Sequence, residues 1–222
     1  MIVRGSLFSI AALALAGTAS AAVVADYQFN TLGDTEGWGN NGTFGSGNPN
    51  LTADGDSLNA GPMTGGDPQL LNNDSYALAV GQTWDSVIFR VRETQDGLNE
   101  AADEGGPGPV AFDSTGVVIA FNNASANTNG FYNGNTAGLF TAVDSGDGFY
   151  TVTLDISDLQ ATSVTSLRFD PIGGVSSNSN SNTAGNSYEV DFLQVTAVPE
   201  PASLALVALG GLAMLGRGRQ QD

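Results

Sequence analysis

Between residues 22 and 197 the chain never sustains the i, i+3, i+4, i+7 spacing of a helix with one buried face over ten residues. That absence narrows the possible folds more than any other feature. Apolar residues come instead in short runs with β-branched and aromatic content, separated by Gly, Asn, Asp and Ser. Such runs, bounded by turn formers, read as strands. The expected strands are Val23–Phe29, Leu70–Leu71 with Tyr76–Val80, Trp84–Arg92, Val110–Phe112, Val117–Asn122, Leu139–Ala142, Phe149–Asp155, Ser166–Asp170 and Tyr188–Thr196. Alternation is cleanest in Val87, Phe89 and Val91, and in Phe149, Thr151 and Thr153 against Tyr150, Val152 and Leu154. Short strands with loops between them predict an all-β sandwich, most simply a jelly roll.

Three long stretches interrupt the strands. Gly33–Asp67 is rich in Gly, Asn and Asp, Ser176–Asn186 is a Ser/Asn run, and Thr94–Gly108 carries Asp96, Glu100, Asp103 and Glu104. Long loops on a rigid sandwich are where binding concentrates, whereas a Ser/Asn run of low complexity also fits a segment without fixed structure.

The two ends read as addresses. Arg4, the apolar stretch Leu7–Gly17 and the small residues Ala19 and Ala21 flanking Ser20 form a secretory signal peptide over residues 1–21, to be removed by signal peptidase before Ala22. At the other end Val198, Pro199, Glu200 and Pro201 precede an apolar run from Ala202 to Leu215 and then Arg217 and Arg219. Two prolines fix φ twice and withhold two N–H donors, so no upstream helix or strand is expected to pass through them. The apolar helix beyond them is short of the roughly 20 residues that a comfortable membrane span needs, and the arginines would hold its end on the cytoplasmic side. The division expected is therefore signal helix 1–21, sandwich 22–197 and sorting tail 198–222.

That tail, with Val198-Pro199-Glu200-Pro201, the short apolar helix and the basic Arg217 and Arg219, resembles the PEP-CTERM signal of Gram-negative surface proteins. The resemblance implies transient insertion through the C-terminal helix and processing by exosortase, a membrane-embedded transpeptidase, in bacteria that make extracellular polysaccharide. The sandwich has a looser resemblance. Asp26–Asn30 followed by Gly37-Trp38, Trp84–Arg92, and Ser166–Pro171 with Tyr188–Val195 are similar to the first, central and closing strands of galactose-binding-like jelly rolls, a fold of many carbohydrate-binding modules. Such domains often hold a structural Ca2+ where the first and last strands meet. Carried onto this chain, that place draws on Asn30, Asp34 or Glu36, and Asp191. Their alternative reading is solvated loop acids, with Asp191 bonded to a neighbouring strand.

Composition limits the chemistry. The chain has no Cys and no His, and its 23 acids less Glu200 and Asp222 leave 21 in residues 22–196. Against these stand Arg90, Arg92 and Arg168, for a formal charge of −18. Such a surface repels nucleic acid and favours divalent cations or neutral, hydroxyl-rich partners. Imidazole bases, thiolate nucleophiles and ordinary transition-metal sites are excluded. A non-enzymatic protein is expected, the alternatives being a glycan-cleaving enzyme built on two carboxylates and a passive acidic matrix protein without a specific ligand. Ca2+ remains open, because acidic Gly/Asn-rich loops supply the oxygens it takes, although no cluster has the spacing of an EF-hand. Sugar recognition would use Trp38, Phe44, Phe131 or Tyr132 with Asn129, Asn133 and Asn135, or the Arg90 and Arg92 face of a central strand. Each has a bland counterpart: Trp38 and Trp84 as core, and the two arginines paired with nearby acids. The leading expectation is an exported surface protein that binds or structures extracellular polysaccharide.

Overall fold

The computed structural model describes residues 20–41, 50–62, 69–95, 108–109, 111–112, 114, 116–125, 128–171 and 187–200. The signal-peptide residues up to Ala19, Phe44, the acids Asp96 to Glu104, the Ser176–Asn186 run, and Pro201 onward with Arg217 and Arg219 lie outside them. The strands are β1 (Ala22–Tyr27), β2 (Gly39–Asn40), β3 (Thr52–Ala53), β4 (Leu58–Ala60) and β5 (Leu70–Asn72). Next come β6 (Tyr76–Ala77), β7 (Gln82–Gln95), β8 (Gly108–Pro109), β9 (Val118–Phe121) and β10 (Phe131–Asn133). The last are β11 (Phe140–Gly146), β12 (Phe149–Asp155), β13 (Ser163–Val164), β14 (Leu167–Asp170) and β15 (Ser187–Pro199).

The fold is all-β, two sheets packed as a sandwich. An eight-stranded sheet runs β11-β12-β7-β15-β4-β3, with β1 also on β15 and β8 on β7. A five-stranded sheet runs β10-β9-β14-β5-β2, and β13 pairs with β6. The core is sealed across the two sheets by aromatic contacts. Phe89 of β7 meets Phe169 of β14 at 4.8 Å, Trp84 meets Phe121 at 6.2 Å, and Trp38 joins Tyr27 at 5.3 Å to Phe169 at 6.2 Å. All of these are buried. Each such side chain taken from water stabilises the fold by about 1.5–3 kcal/mol before chain entropy is charged against it.

β-Bulges decide which side chains reach that core. β15 buries Tyr188 and Val190, then switches parity to Leu193, Val195 and Ala197. The switch falls where Val190 pairs with Val91 and Phe192 with Arg90, leaving Asp191 as the extra residue. A second bulge lies on β7: Val195 faces Val87 and Ala197 faces Trp84, so Asp85 and Ser86 together oppose Thr196. It turns Trp84 inward. A hydroxyl network fastens it: Thr196 Oγ1 donates to Asp85 Oδ2 at 2.9 Å, lies 2.8 Å from Ser86 Oγ and accepts the Ser86 N–H at 3.2 Å.

One expectation needs correction. The strand expected at Val110–Phe112 is absent from its described residues, 111 and 112, and β7 pairs instead with Gly108–Pro109. β15 runs as far as the first proline and ends on it: Val198 pairs with Thr83 and Pro199 with Gln82. Beyond them the Glu200 N–H donates to Gly81 O at 2.7 Å. In an antiparallel ladder hydrogen-bonded and non-bonded pairs alternate, so this bond puts Pro199 at a non-bonded rung where no N–H is needed.

Candidate functional site

The chain crosses from the five-stranded to the eight-stranded sheet between β10 and β11, the edge strands of the two sheets. Beside that crossover, against the turn that follows β12, opens a cavity of about 690 Å³. This is ordinary ligand-pocket size. Phe131, Tyr132, Asn133 and Leu139 line it from β10 and the crossover, and Asp155, Ser157 and Asp158 from the end of β12 and the turn after it. Gly134 anchors the crossover, since a Cβ there would sit 1.8 Å from the Ser114 carbonyl oxygen.

Its polar groups are held in place. The Tyr132 ring is buried, edge-on to Phe121 at 6.4 Å, and its hydroxyl donates to Asp158 Oδ1 at 2.5 Å. Burial, with the hydrogen bond to Asp158 and the Asp158 and Asp155 charges, pushes the Tyr132 hydroxyl far above the ordinary tyrosine range and keeps it protonated. Hydrogen bonds from the Ser157 side chain and N–H, the latter at 2.8 Å, hold the Asp155 carboxyl below its usual range. Asn129 is committed to the same turn, donating to Asp158 O at 3.0 Å and accepting the Gln160 N–H at 3.0 Å. Asn133 accepts the Asn135 N–H at 2.8 Å. The pocket thus presents apolar ring and aliphatic surface beside two carboxylates, an amide and hydroxyls. No arginine among the described residues lines it.

Of the residues singled out in the sequence, Phe131, Tyr132 and Asn133 come together here, but Tyr132 is a wall of the pocket on a strand and not a ring on an open loop. Trp38 belongs to the core, 3 % exposed, and its indole N–H has no partner among the described residues. A ring so enclosed presents no face to a ligand. Arg90 and Arg92 do not form an open cationic surface: Arg90 pairs with Asp191 at 2.5 Å, Arg92 with Glu189 at 2.5 Å, and both guanidinium groups lie over the Phe149 ring. Arg168 pairs with the buried Asp170.

The calcium set does not assemble. Glu36 uses both carboxylate oxygens on backbone, accepting the Gln28 N–H at 3.0 Å and the Phe29 N–H at 2.9 Å. These bonds hold Phe29 at φ 52°, an unusual conformation for a bulky residue, with its ring buried. Asp34 accepts the Glu36 N–H at 2.8 Å, Asn30 is exposed, and Asp191 is spent on Arg90. Among the described residues no three carboxylates gather where one cation could share them. These four residues therefore do not fit a structural Ca2+.

Phe131 was expected beside Tyr132, but Asp155, Ser157 and Asp158 were not foreseen as site residues. They lie up to 27 positions from Phe131 in the chain, and the fold brings them to one wall.

The other functional feature is the end of β15. Residues 197–220 match the family model for the PEP-CTERM protein-sorting motif. The chain carries an exosortase address. No curated protein and no solved structure matches it. The PEP-CTERM motif indicates an exported protein that exosortase processes and that is sorted to the cell envelope. Its first residues, Ala197 to Pro199, are strand residues of the sandwich itself, so the PEP-CTERM motif starts within the folded domain with no linker before it. The division expected at residue 197 falls inside β15. Ala21, at the expected signal-peptide junction, is exposed immediately before β1, and Ala22 pairs with Ala197. The start of the sorting motif and the expected signal-peptide junction therefore lie at one end of the sandwich.

Proposed function

We propose that this exported sandwich binds a polyhydroxyl ligand, a polysaccharide of the extracellular layer, in the pocket between β10, the β10–β11 crossover and the turn after β12. The observation that carries the reading is the make-up of that wall: ring and aliphatic surface from Phe131 and Leu139 beside the Asn133 amide, the Asp155 and Asp158 carboxylates and the Ser157 hydroxyl. Sugar rings offer apolar C–H faces and hydroxyl edges that complement such a surface. A strongly negative domain also does not repel a neutral glycan. The place of action is the surface or matrix of a Gram-negative cell, reached through the signal peptide and the sorting tail.

Asp155 does not fit the protonated acid that hydrolysis of a glycoside needs. A glycosidase acid is kept protonated at neutral pH by a raised pKa, and Asp155 is pushed the other way by Ser157. Retention of residues 22–200 on immobilised bacterial polysaccharides, together with a glycan array, tests the reading. Asn133→Ala and Asp158→Asn should each weaken retention about tenfold, the effect of one lost hydrogen bond to a polar or charged group. Unchanged retention in both would remove the pocket from the account. Release of reducing sugar, abolished by Asp155→Asn, would replace binding with catalysis.

A further inference from the structure

The start of the sorting motif is occupied by the domain's own sheet. β15 holds Val198 against Thr83 and Pro199 against Gln82, and the Glu200 N–H is bonded to Gly81 O. The strand is firm up to Thr196 and Ala197, both buried, with Thr196 tied to Asp85 and Ser86 across the bulge. Beyond that point it becomes an exposed edge: Val198 is half-buried, and Pro199 and Glu200 are exposed. Glu200 is three residues past Ala197, so even fully drawn out it stays within roughly 10 Å of the buried strand.

An enzyme that binds an extended peptide does so through the peptide's main-chain N–H and C=O groups. Those of Val198 and the N–H of Glu200 are the groups that β7 and Gly81 already engage, by the ladder alternation and the Glu200 bond. We propose that the folded domain brakes its own processing: exosortase acts on a strand end that has first to leave the Gly81–Thr83 edge. The frayed fraction of Val198–Glu200 then scales the rate of cleavage, as the fraction of any binding-competent state scales apparent affinity. This inference rests on the PEP-CTERM motif being the exosortase substrate and is independent of what the pocket binds.

Pulse–chase of the full-length precursor in an exosortase-containing host tests it. A flexible Gly-Ser linker inserted between Ala197 and Val198 leaves the Pro-Glu-Pro turn intact but frees it from β7. Cleavage should quicken about tenfold, as when a competent state of roughly one part in ten becomes the whole population. The opposite arm is a cross-link. The chain has no cysteine, and Thr83 and Val198 face each other at a hydrogen-bonded pair, where Cα atoms are about 5.5 Å apart and within disulfide reach. The Thr83→Cys, Val198→Cys double variant should be cut slowly when oxidised and recover on reduction, a contrast within one sequence. If the linker leaves the rate unchanged, the brake does not exist, whatever the cross-link does. The Pro199→Ala, Glu200→Ala, Pro201→Ala triple variant separates the two failures. It stays uncut if the motif is read at all, and its normal cleavage would overturn the sorting reading instead.

Discussion

Trp38 and Tyr132 both come from Gly- and Asn-rich stretches, and both end up buried, yet the structure around them differs. Trp38 has packing partners on two sides, Tyr27 and Phe169, and binds the first strand to the opposite sheet. Tyr132 has Phe121 on one side and a cavity on the other, with its hydroxyl fixed to an acid of the pocket wall. Burial alone does not tell a core aromatic from a site aromatic. What lies on the far side of the ring does.

The contrast can be broken most severely at Trp38. Trp38→Ala leaves a large cavity between the sheets and should cost about 3–5 kcal/mol. For a domain of this size that is a fall in melting temperature on the order of 10 °C. A loss below about 3 °C by circular dichroism would mean that the site can collapse and that Trp38 is not the tie described.

Tyr132→Phe sharpens the other half. It keeps the ring but removes the bond to Asp158, so it should cost about 1 kcal/mol in stability while weakening polysaccharide retention about as much as Asp158→Asn. A variant as unstable as Trp38→Ala would show that the hydroxyl serves folding and not the pocket.

A pH titration follows with a smaller effect. The Tyr132 and Tyr188 hydroxyls are raised well above 10.0, chiefly by burial, and Tyr76 is raised to about 12 by the same cause. A raised folded-state pKa means that the unfolded chain loses the proton first. Stability is then full below about pH 10 and falls as pH rises from there through the folded values. Thermal melts between pH 9 and 11.5 should show that decline, and Tyr132→Phe should flatten it. A profile identical to wild type would mean that Tyr132 ionises freely.

The smallest expected effect is at Asp191. Its pair with Arg90 is partly exposed, so Asp191→Ala should cost under about 1 kcal/mol. The loss should be the same with and without EDTA, because the residues proposed for Ca2+ do not gather around a cation. A melting temperature that EDTA lowers in wild type but not in Asp191→Ala would restore the metal.

The main strands were legible because alternation persists long enough to register. Phe149–Asp155 matches β12 from end to end, and the Val87, Phe89, Val91 face is buried as expected. β2, β3, β4, β10 and β13 escaped because two or three residues cannot display a period. This is how Tyr132 came to be assigned to a loop. The parity switch from Tyr188 and Val190 to Leu193 and Val195 is written in the sequence and marks the bulge at Asp191, which in turn gives that acid to Arg90. Only one wall of the pocket was legible, in Phe131, Tyr132 and Asn133, since its carboxylates come from the end of β12 and the turn after it, which only the fold carries to β10. Pro199 closes β15 and can still sit in its ladder, because it falls on a non-bonded rung where its missing N–H is not required.

The place of β15 in the sheet has a consequence for how the protein is made. It lies between β7 on one side and β1 and β4 on the other, with β4 on its first residues and β1 on its later ones. A chain that crosses a membrane from its N-terminus therefore delivers these three strands well before the one they share. Pairing them requires contacts spanning most of the domain, a topology that folds slowly. Until residue 199 is across, the middle of the eight-stranded sheet is missing and its neighbours have open edges, the state in which exported chains need chaperones. The segment that completes the sheet and the motif that addresses the protein emerge together, so folding and sorting start from the same moment.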